Sequence, residues 1–299
     1  MRQDERRGLL YAGLGFLIFP IGDTVVKTMA GQWAPTAIAA TRYTIGAFGL
    51  AVLLSLREGR GGFALPRPAI QLMRGVGVAG ATGCFFAALM FMPQAEATTL
   101  TFTQPVVTAL LAIAFLGEKA RKEIWIASLI ASIGVLAVLQ PTFANVGWAI
   151  VLPLTAASFM SMMMVGNRLS AGLASALSMQ FTVASVAAIA LVAATFLGHV
   201  SGMAALQVEM PAFIIIAKCA FVALNASIGH WLVYKGTTMA GASTIAPMTY
   251  LQLVGATVAG WLIFDHRPTL AVFAGALLIV GSGLYMWWKG RAEEPVELP

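Results

Sequence analysis

Apolar runs of about 20 residues follow one another along almost the whole chain, and they constrain its fold more than any other feature. The hydrocarbon layer of a bilayer is about 30 Å thick, so a helix that spans it needs roughly 20 mostly apolar residues. Breaking the sequence at charged, polar and Gly/Pro clusters predicts ten such helices, joined by short loops. They cover residues 8–28, 35–55, 72–92, 98–116, 124–140, 147–167, 175–197, 211–234, 243–264 and 269–288.

The composition excludes the main classes of soluble protein. Hydrophobic residues make up 59% of the chain and charged residues only 10%, and the mean hydropathy is +0.86. Soluble domains are typically about 45–50% apolar and about 25% charged. A cytosolic enzyme, a secreted disulfide scaffold and a nucleic-acid-binding domain are therefore excluded. The first apolar run contains Asp23 and Lys27, so we interpret it as a retained helix and not as a cleaved signal peptide.

The basic residues predict how the helices are oriented. When the predicted loops are assigned to alternate sides, one side receives 14 of the 18 Lys and Arg residues and the other receives only Arg267. Loops rich in Lys and Arg face the cytoplasm. Both termini are therefore predicted to be cytoplasmic, in a multi-pass protein of the bacterial inner membrane. The 14 residues are Arg2, Arg6, Arg7, Arg57, Arg60, Arg67, Arg74, Lys119, Arg121, Lys122, Arg168, Lys235, Lys289 and Arg291.

A weak internal repeat divides the chain into two halves. The stretch Leu116–Gly134 can be aligned with Ile263–Gly281. This alignment predicts a five-helix repeat over 1–141 and a second over 142–299, which also carries a short acidic cytoplasmic tail. Because five is odd, the second repeat enters the membrane from the opposite side. Inverted repeats of this kind place a substrate site between the repeats near the bilayer midplane.

Short motifs carry a resemblance to a known family. Span four ends with Leu-Gly-Glu (Leu116–Glu118) and contains Pro105, and Arg42 lies early in span two. With ten short helices in two repeats, the chain resembles the EamA type of the drug/metabolite transporter superfamily. Within it, the chain is most similar to YddG-type bacterial amino-acid exporters. The resemblance implies alternating access and outward transport of aromatic and other neutral amino acids. Asp265 departs from the pattern, because a Glu is usual there.

Four charged residues at membrane depth are candidates for function. Asp23 and Lys27 are four residues apart, on one face of a helix, and are predicted to form a charge pair or gate. Arg42 and Lys218 lie roughly 10 Å inside the predicted outer ends of their spans, where either could hold a substrate carboxylate. The alternative is that both lysines extend to the interface while Asp23 only neutralises a neighbouring cation.

Polar residues near the midplane are candidates for contacts with the substrate. Asn225, Gln252 and Tyr250 are predicted to hydrogen-bond the substrate. Pro20 and Pro105 are predicted to break helices, because proline removes a backbone hydrogen bond and frees carbonyls to line a cavity. The alternative for each polar residue is a hydrogen bond that holds two helices together.

Several other features have a plainer interpretation. Five aromatic residues could line an apolar pocket, although packing in the core is the more common role for such rings: Tyr43, Phe85, Phe86, Phe91 and Phe102. Residues 75–80 match G-x-G-x-x-G, but without a soluble βαβ unit this motif indicates close helix packing and not nucleotide binding. The three histidines, His199, His230 and His266, are scattered without metal-ligand spacing. We therefore predict no catalytic residue, no metal and no cofactor.

These observations predict an all-α integral membrane protein that exports small metabolites, amino acids first. Its partners would be the small-molecule substrate and the lipid bilayer, with no nucleic acid or nucleotide, and a monomer would suffice. Two alternatives stay open. One is efflux of drugs or other toxic compounds, and the other is a membrane sensor or enzyme that transports nothing.

The predicted orientation can be tested with single cysteines at Ala120 and Thr269, after replacement of Cys84 and Cys219. An impermeant thiol reagent applied to intact cells should label the cysteine at position 269 and not the one at 120, because only the former is predicted to face outward. Labelling at position 120 alone would contradict the orientation.

Overall fold

All regular structure in the described part of the chain is helical. The computed structural model describes residues 3–116, 122–170, 172–240 and 246–291. The helices are α1 (Gln3–Lys27), α2 (Pro35–Glu58), α3 (Pro68–Phe91), α4 (Gln94–Thr101), α5 (Gln104–Leu116), α6 (Lys122–Val146), α7 (Val151–Leu169), α8 (Ala176–Val200), α9 (Phe213–Ala240), α10 (Leu251–Phe264) and α11 (Leu270–Arg291). Short 3₁₀ turns precede α7 and α10. Glu118 and the acidic tail lie outside the described residues.

The apolar helices of the structure overlap the spans predicted from hydropathy. Seven helical segments of the described chain are long and apolar enough to cross a bilayer, and three shorter apolar helices lie at 125–138, 248–264 and 270–285. The prediction of an all-α multi-pass protein is therefore confirmed. The number of ten spans and their orientation stay predictions.

The outer surface of the bundle is apolar. Large hydrophobic side chains that are 72–86% exposed occur on four helices, at Phe48, Leu56, Phe115, Phe213 and Leu270. A soluble protein does not expose hydrophobic surface so widely. These side chains are suited to contact with lipid.

The two prolines behave differently from each other. The chain turns at Phe102 and Thr103, between α4 and α5, and Pro105 is the second residue of α5. At Pro20, by contrast, α1 continues without interruption, so the predicted break is absent there. The Pro20 carbonyl accepts hydrogen bonds from Thr24 Oγ1 (2.7 Å) and Gln94 Nε2 (2.9 Å). These bonds satisfy the backbone locally and tie α1 to α4.

Helices from the two halves of the chain pack against each other. The most extensive contacts join α1 to α9, α3 to α7, α6 to α11 and α2 to α8. Further contacts join α3 to α8, α2 to α9, α1 to α10, and α7 to both α4 and α5. The four helices α1, α2, α3 and α9 therefore adjoin one another in the bundle.

Two glycines allow α6 and α11 to cross closely. A Cβ atom on Gly134 would lie 2.8 Å from the Gly275 carbonyl oxygen, and one on Gly275 would lie 2.6 Å from the Gly134 carbonyl oxygen. These oxygens belong to the backbone, so the neighbouring helix itself would have to move. Small residues at such crossings let helices pack tightly in lipid.

We expect Gly275→Ala to lower the melting temperature in detergent, because the methyl group forces α6 and α11 apart. The matched control is Gly46→Ala in α2, where an added Cβ meets nothing within 4 Å. Alanine is favoured over glycine by about 1 kcal/mol inside a helix, so the control should be neutral or stabilising. Equal melting temperatures for the two variants would contradict the close crossing.

Candidate functional site

Lys27 holds α1 to the end of α3. Its Nζ atom donates to the carbonyl oxygens of Leu89 (2.9 Å) and Met92 (2.6 Å). These carbonyls belong to the last turn of α3, where helix carbonyls lack partners from their own helix. A cation there is also favoured by the helix dipole. In the described residues Lys27 forms no ion pair with Asp23, so the predicted pair is not formed.

The surroundings of Lys27 join several further elements. Its Nζ atom lies 5.6 Å from the ring centroid of Phe264, at the end of α10. Glu96 of α4 lies within electrostatic range. In the loop after α10, burial and the charge of Lys27 hold the pKa of His266 below its ordinary value, although Asp265 acts in the opposite direction. Lys27 thus lies where α1, α3, α4 and α10 meet.

Lys218 is also engaged at this end of the bundle. Its Nζ atom donates to Thr28 Oγ1 at 3.0 Å, which ties α9 to the end of α1. Nearby, Trp33 Nε1 donates to the Glu209 carbonyl at 3.1 Å. These contacts close one end of the bundle, and they leave Lys218 as a link between helices in this conformation.

Arg42 is held by aromatic rings. Its guanidinium carbon lies 4.6 Å from the ring centroid of Tyr43 and 5.6 Å from that of Phe86 on α3. The Tyr43 hydroxyl lies 3.0 Å from Thr82 Oγ1, so α2 and α3 are joined at this level. Such stacking positions a guanidinium without using its hydrogen-bond donors. Arg42 therefore keeps donors available for a ligand.

The charge of Arg42 acts on both Asp23 and His230, although no direct ion pair joins Asp23 to Arg42 in the described part of the chain. Asp23 and Arg42 are half-buried, and His230 is exposed. All three side chains are therefore at least partly accessible, and they lie on helices α1, α2 and α9, which pack against one another.

The sequence did not single out His230. Its ring packs on that of Phe19, with centroids 4.9 Å apart and planes at 58°. Phe19 precedes Asp23 by one helical turn on α1, so both are presented to the same region. The one available signal was that His230 lies on the same helix as Asn225, within two turns of it.

The other predicted polar residues are dispersed. Asn225 is buried, and its Nδ2 atom donates to the Ile18 carbonyl at 3.1 Å, so it links α9 to α1. Tyr250 packs its ring on Phe102, with centroids 5.3 Å apart. Gln252 is half-buried on the following turn. Of the two predicted carboxylate partners, Arg42 is the one whose charge acts on Asp23, whereas Lys218 is bonded to Thr28.

A second polar cluster lies toward the other end of α3. Arg74 is buried, and its Nε atom donates to Asn167 Oδ1 on α7 at 2.6 Å. Its Nη1 atom donates to Gln71 Oε1 and lies 3.8 Å from Met179 Sδ on α8. Neutral groups therefore satisfy Arg74 and hold α3, α7 and α8 together.

Two crevices lie elsewhere. One of about 480 Å³ separates α2 from α8 and includes Trp33 and His199. Another of about 400 Å³ lies between α5 and α6, with Thr103 at its edge. Pro105 lines neither of them, and neither contains a predicted site residue. The candidate site is therefore the group of partly accessible side chains Asp23, Arg42 and His230, on α1, α2 and α9.

A double-mutant cycle tests the separation of Asp23 from Lys27. We expect Lys27→Met to lower the melting temperature in detergent, because it leaves the Leu89 and Met92 carbonyls without a donor; each lost bond to a charged group is worth about 1.5–3 kcal/mol. Asp23→Asn should add to this effect independently, within roughly 0.5 kcal/mol. The exposed Lys122→Met serves as the control. Strong coupling between the two substitutions would instead support the ion pair between Asp23 and Lys27 that the sequence predicted.

Comparison with a family of known transporters gives a match over part of the chain. Residues 6–140 match the EamA-like transporter family. This range covers α1 to α5 and most of α6, and it includes Asp23 and Arg42.

Individual relatives extend the similarity further along the chain. The S-adenosylmethionine uptake transporter of Rickettsia bellii is 25% identical over 225 residues, which cover 75% of this chain and 74% of that protein. A riboflavin transporter of Rhizobium johnstonii is 26% identical and covers 93% of this chain and 90% of its own length. The pseudopaline exporter of Pseudomonas aeruginosa is 24% identical, covering 92% and 94%.

A solved crystal structure shares the fold. It matches with a TM-score of 0.62 at 19% identity, and the match covers 95% of this chain and 98% of that one. The helical fold therefore recurs in an experimental structure. Over residues 6–140, the family match confirms the predicted resemblance to EamA-type transporters.

Proposed function

We propose that this protein is a secondary transporter of small metabolites that carry an amino-acid head group, working by alternating access in the bacterial inner membrane. The observation that carries the proposal is the presence of two half-buried residues of opposite charge, Asp23 and Arg42, which interact electrostatically in an apolar bundle without forming a direct ion pair. A charged side chain in the membrane interior is costly and usually marks a functional site.

The geometry suits a zwitterion. Arg42 can donate two parallel hydrogen bonds to a carboxylate, the arrangement in which arginine binds carboxylates most specifically. Asp23 can accept from the ammonium group. Tyr43, which is half-buried, can offer aromatic surface to the rest of the substrate. Each charge of the substrate would then meet an opposite charge of the protein as it leaves water.

The relatives agree with a small-molecule substrate and differ in the direction of transport. They are named for S-adenosylmethionine uptake, riboflavin transport and pseudopaline export. S-adenosylmethionine consists of an amino-acid head group on a body with an aromatic base, the combination that Asp23, Arg42 and the Tyr43 ring would suit. None of the three names refers to amino-acid export. Export, and the YddG-type preference for aromatic amino acids, therefore stay parts of this proposal.

We also propose that 1–141 and 142–299 are inverted repeats. Let α1, α2, α3, α4–α5 and α6 correspond to α7, α8, α9, α10 and α11. If the two halves are exchanged, the contact between α1 and α9 becomes a contact between α7 and α3. The contact of α1 with α10 becomes a contact of α7 with α4 and α5, and the contact of α3 with α8 becomes a contact of α9 with α2. All of these contacts occur. The α2–α8 and α6–α11 contacts convert into themselves. In such transporters the substrate lies between the repeats, and Arg42 and His230 come from different halves.

Efflux of lipophilic cations is the second candidate. It is favoured by one observation: Lys27, the expected partner of Asp23, is bound to the end of α3 instead. Asp23 would then be available to a cationic drug. In that case Arg42 would hinder binding, whereas for a zwitterion it would be required.

Counterflow in proteoliposomes distinguishes the two candidates. The panel would contain labelled tryptophan, phenylalanine, leucine, S-adenosylmethionine, riboflavin and the lipophilic cation ethidium. We expect exchange of the amino-acid compounds, and we expect Arg42→Gln to raise their half-saturating concentration roughly 10- to 150-fold, which corresponds to about 1.5–3 kcal/mol.

The matched control is Arg267→Gln, which removes an exposed arginine that lies 3.6 Å from Asp265. It should leave exchange unchanged. Exchange of ethidium alone, improved by Arg42→Gln, would replace the proposal with drug efflux. Wild-type affinity for amino acids in a well-folded Arg42→Gln variant would remove Arg42 from the site.

A further inference from the structure

The connection between α2 and α3, called the arginine turn below (residues 57–67), carries positive charge without an acidic partner. It contains three arginines with exposed side chains, Arg57, Arg60 and Arg67. In the described part of the chain none of the three forms an ion pair. The one acidic residue of the turn is Glu58. Its carboxylate oxygens instead accept from Ser175 Oγ, at 2.7 and 2.9 Å.

The arginine turn is held in a defined shape by its neighbours. The Phe63 ring packs edge-on against Phe181 of α8, with centroids 5.1 Å apart and planes at 80°. At its end, Gln71 Nε2 of α3 donates to the Pro66 carbonyl at 3.1 Å, and Arg67 adopts the left-handed backbone conformation (φ 48°) that few non-glycine residues take. Because the backbone is fixed at these points, a ligand would meet a surface that is already formed, which lowers the entropy cost of binding.

Apolar side chains are exposed between the arginines. Leu56 is 79% exposed, Leu65 50% and Phe63 40%. Apolar groups beside basic ones at the end of a membrane helix suit the interface, where the former contact acyl chains and the latter lie at the level of the headgroups. A guanidinium also binds phosphate oxygens through two parallel hydrogen bonds. The combination fits a phosphate that carries hydrocarbon chains.

The equivalent connection of the second half lacks this charge. Under the proposed repeat, residues 201–212, between α8 and α9, correspond to the arginine turn. They also include a short 3₁₀ turn and exposed apolar side chains, with Met203 56% and Met210 95% exposed. Their one charged residue, however, is Glu209. The two connections therefore share exposed apolar groups, and only the first adds cations that would select a negatively charged headgroup.

We propose that the arginine turn is a binding site for an anionic phospholipid of the leaflet predicted to be cytoplasmic. The arginines bind its phosphate, and Leu56 and Leu65 contact its acyl chains. A zwitterionic phospholipid carries the same phosphate, but its ammonium group opposes the arginines. Because Glu58 and Phe63 contact α8, the bound lipid lies where the two halves of the chain meet and stabilises that end of the contact between α2 and α8. The site does not depend on which substrate is transported.

Native mass spectrometry of the delipidated protein, offered equal amounts of phosphatidylglycerol and phosphatidylcholine with the same acyl chains, tests the proposal. Wild type should prefer phosphatidylglycerol roughly 10- to 100-fold, because each arginine close to an anionic lipid is worth about a fivefold change in affinity. The triple variant Arg57→Gln, Arg60→Gln, Arg67→Gln should lose the preference. Replacement of the same three residues by lysine keeps the charge and should retain most of it.

The matched control removes the same charge elsewhere on the side predicted to be cytoplasmic, through Arg6→Gln, Arg7→Gln and Lys122→Gln, all at exposed residues. This variant should keep the wild-type preference. If the triple glutamine variant at the turn does not fold, the single variant Arg60→Gln, with an expected loss of about fivefold, replaces it.

A second measurement compares melting temperatures in detergent. Phosphatidylglycerol should raise that of wild type more than phosphatidylcholine does, and inorganic phosphate, which has no acyl chains, should not reproduce the rise. Lack of any preference in wild type would mean that the arginines serve only to orient the helices during insertion, and it would overturn the proposal. An unchanged preference in the turn variants, an equal loss in the control variant or an equal rise with inorganic phosphate would also overturn it.

Discussion

The close packing of α1 against α9 is the contact on which the candidate site depends. A Cβ atom on Gly15 would lie only 2.8 Å from the carbonyl oxygen of Gly229, so the two backbones are nearly in contact. Because the helices approach so closely, Asn225 reaches the Ile18 carbonyl and the Phe19 ring meets His230. The depth at which Asp23 and His230 face Arg42 is set by this crossing.

Charges in an apolar bundle need partners, and the structure provides different kinds. Lys27 is satisfied by helix-end carbonyls and Lys218 by a hydroxyl, so both stabilise one end of the bundle. Arg42 is held by aromatic faces, which position its guanidinium but do not use its donors. A carboxylate ligand would complete that environment. The way in which each cation is held thus separates structural cations from a candidate ligand-binding one.

The sequence predicted the positions of the helices because hydropathy depends on local composition alone. It could place Asp23 and Lys27 on one helix face, since that follows from helical spacing. It could not predict that Lys27 would reach the end of α3, because the partner comes from a residue more than 60 positions away. His230 was overlooked for the same reason, since its ring contact with Phe19 and its electrostatic interaction with Arg42 both involve other helices. The continuity of α1 through Pro20 likewise depends on Gln94, a neighbour that only the folded chain provides.

The proposed repeat also relates two polar clusters, of which one is partly accessible and the other is buried. Under the correspondence of α1, α2 and α9 with α7, α8 and α3, the group of Asp23, Arg42 and His230 has its counterpart in the cluster around Arg74. There, Asn167, Gln71 and Met179 surround a buried arginine from the same three helices. That arginine is buried, whereas Arg42 is half-buried. Packing of equivalent helices therefore does not require equivalent chemistry. Arg74 has its hydrogen-bond partners within the protein, whereas at Arg42 a substrate could supply them.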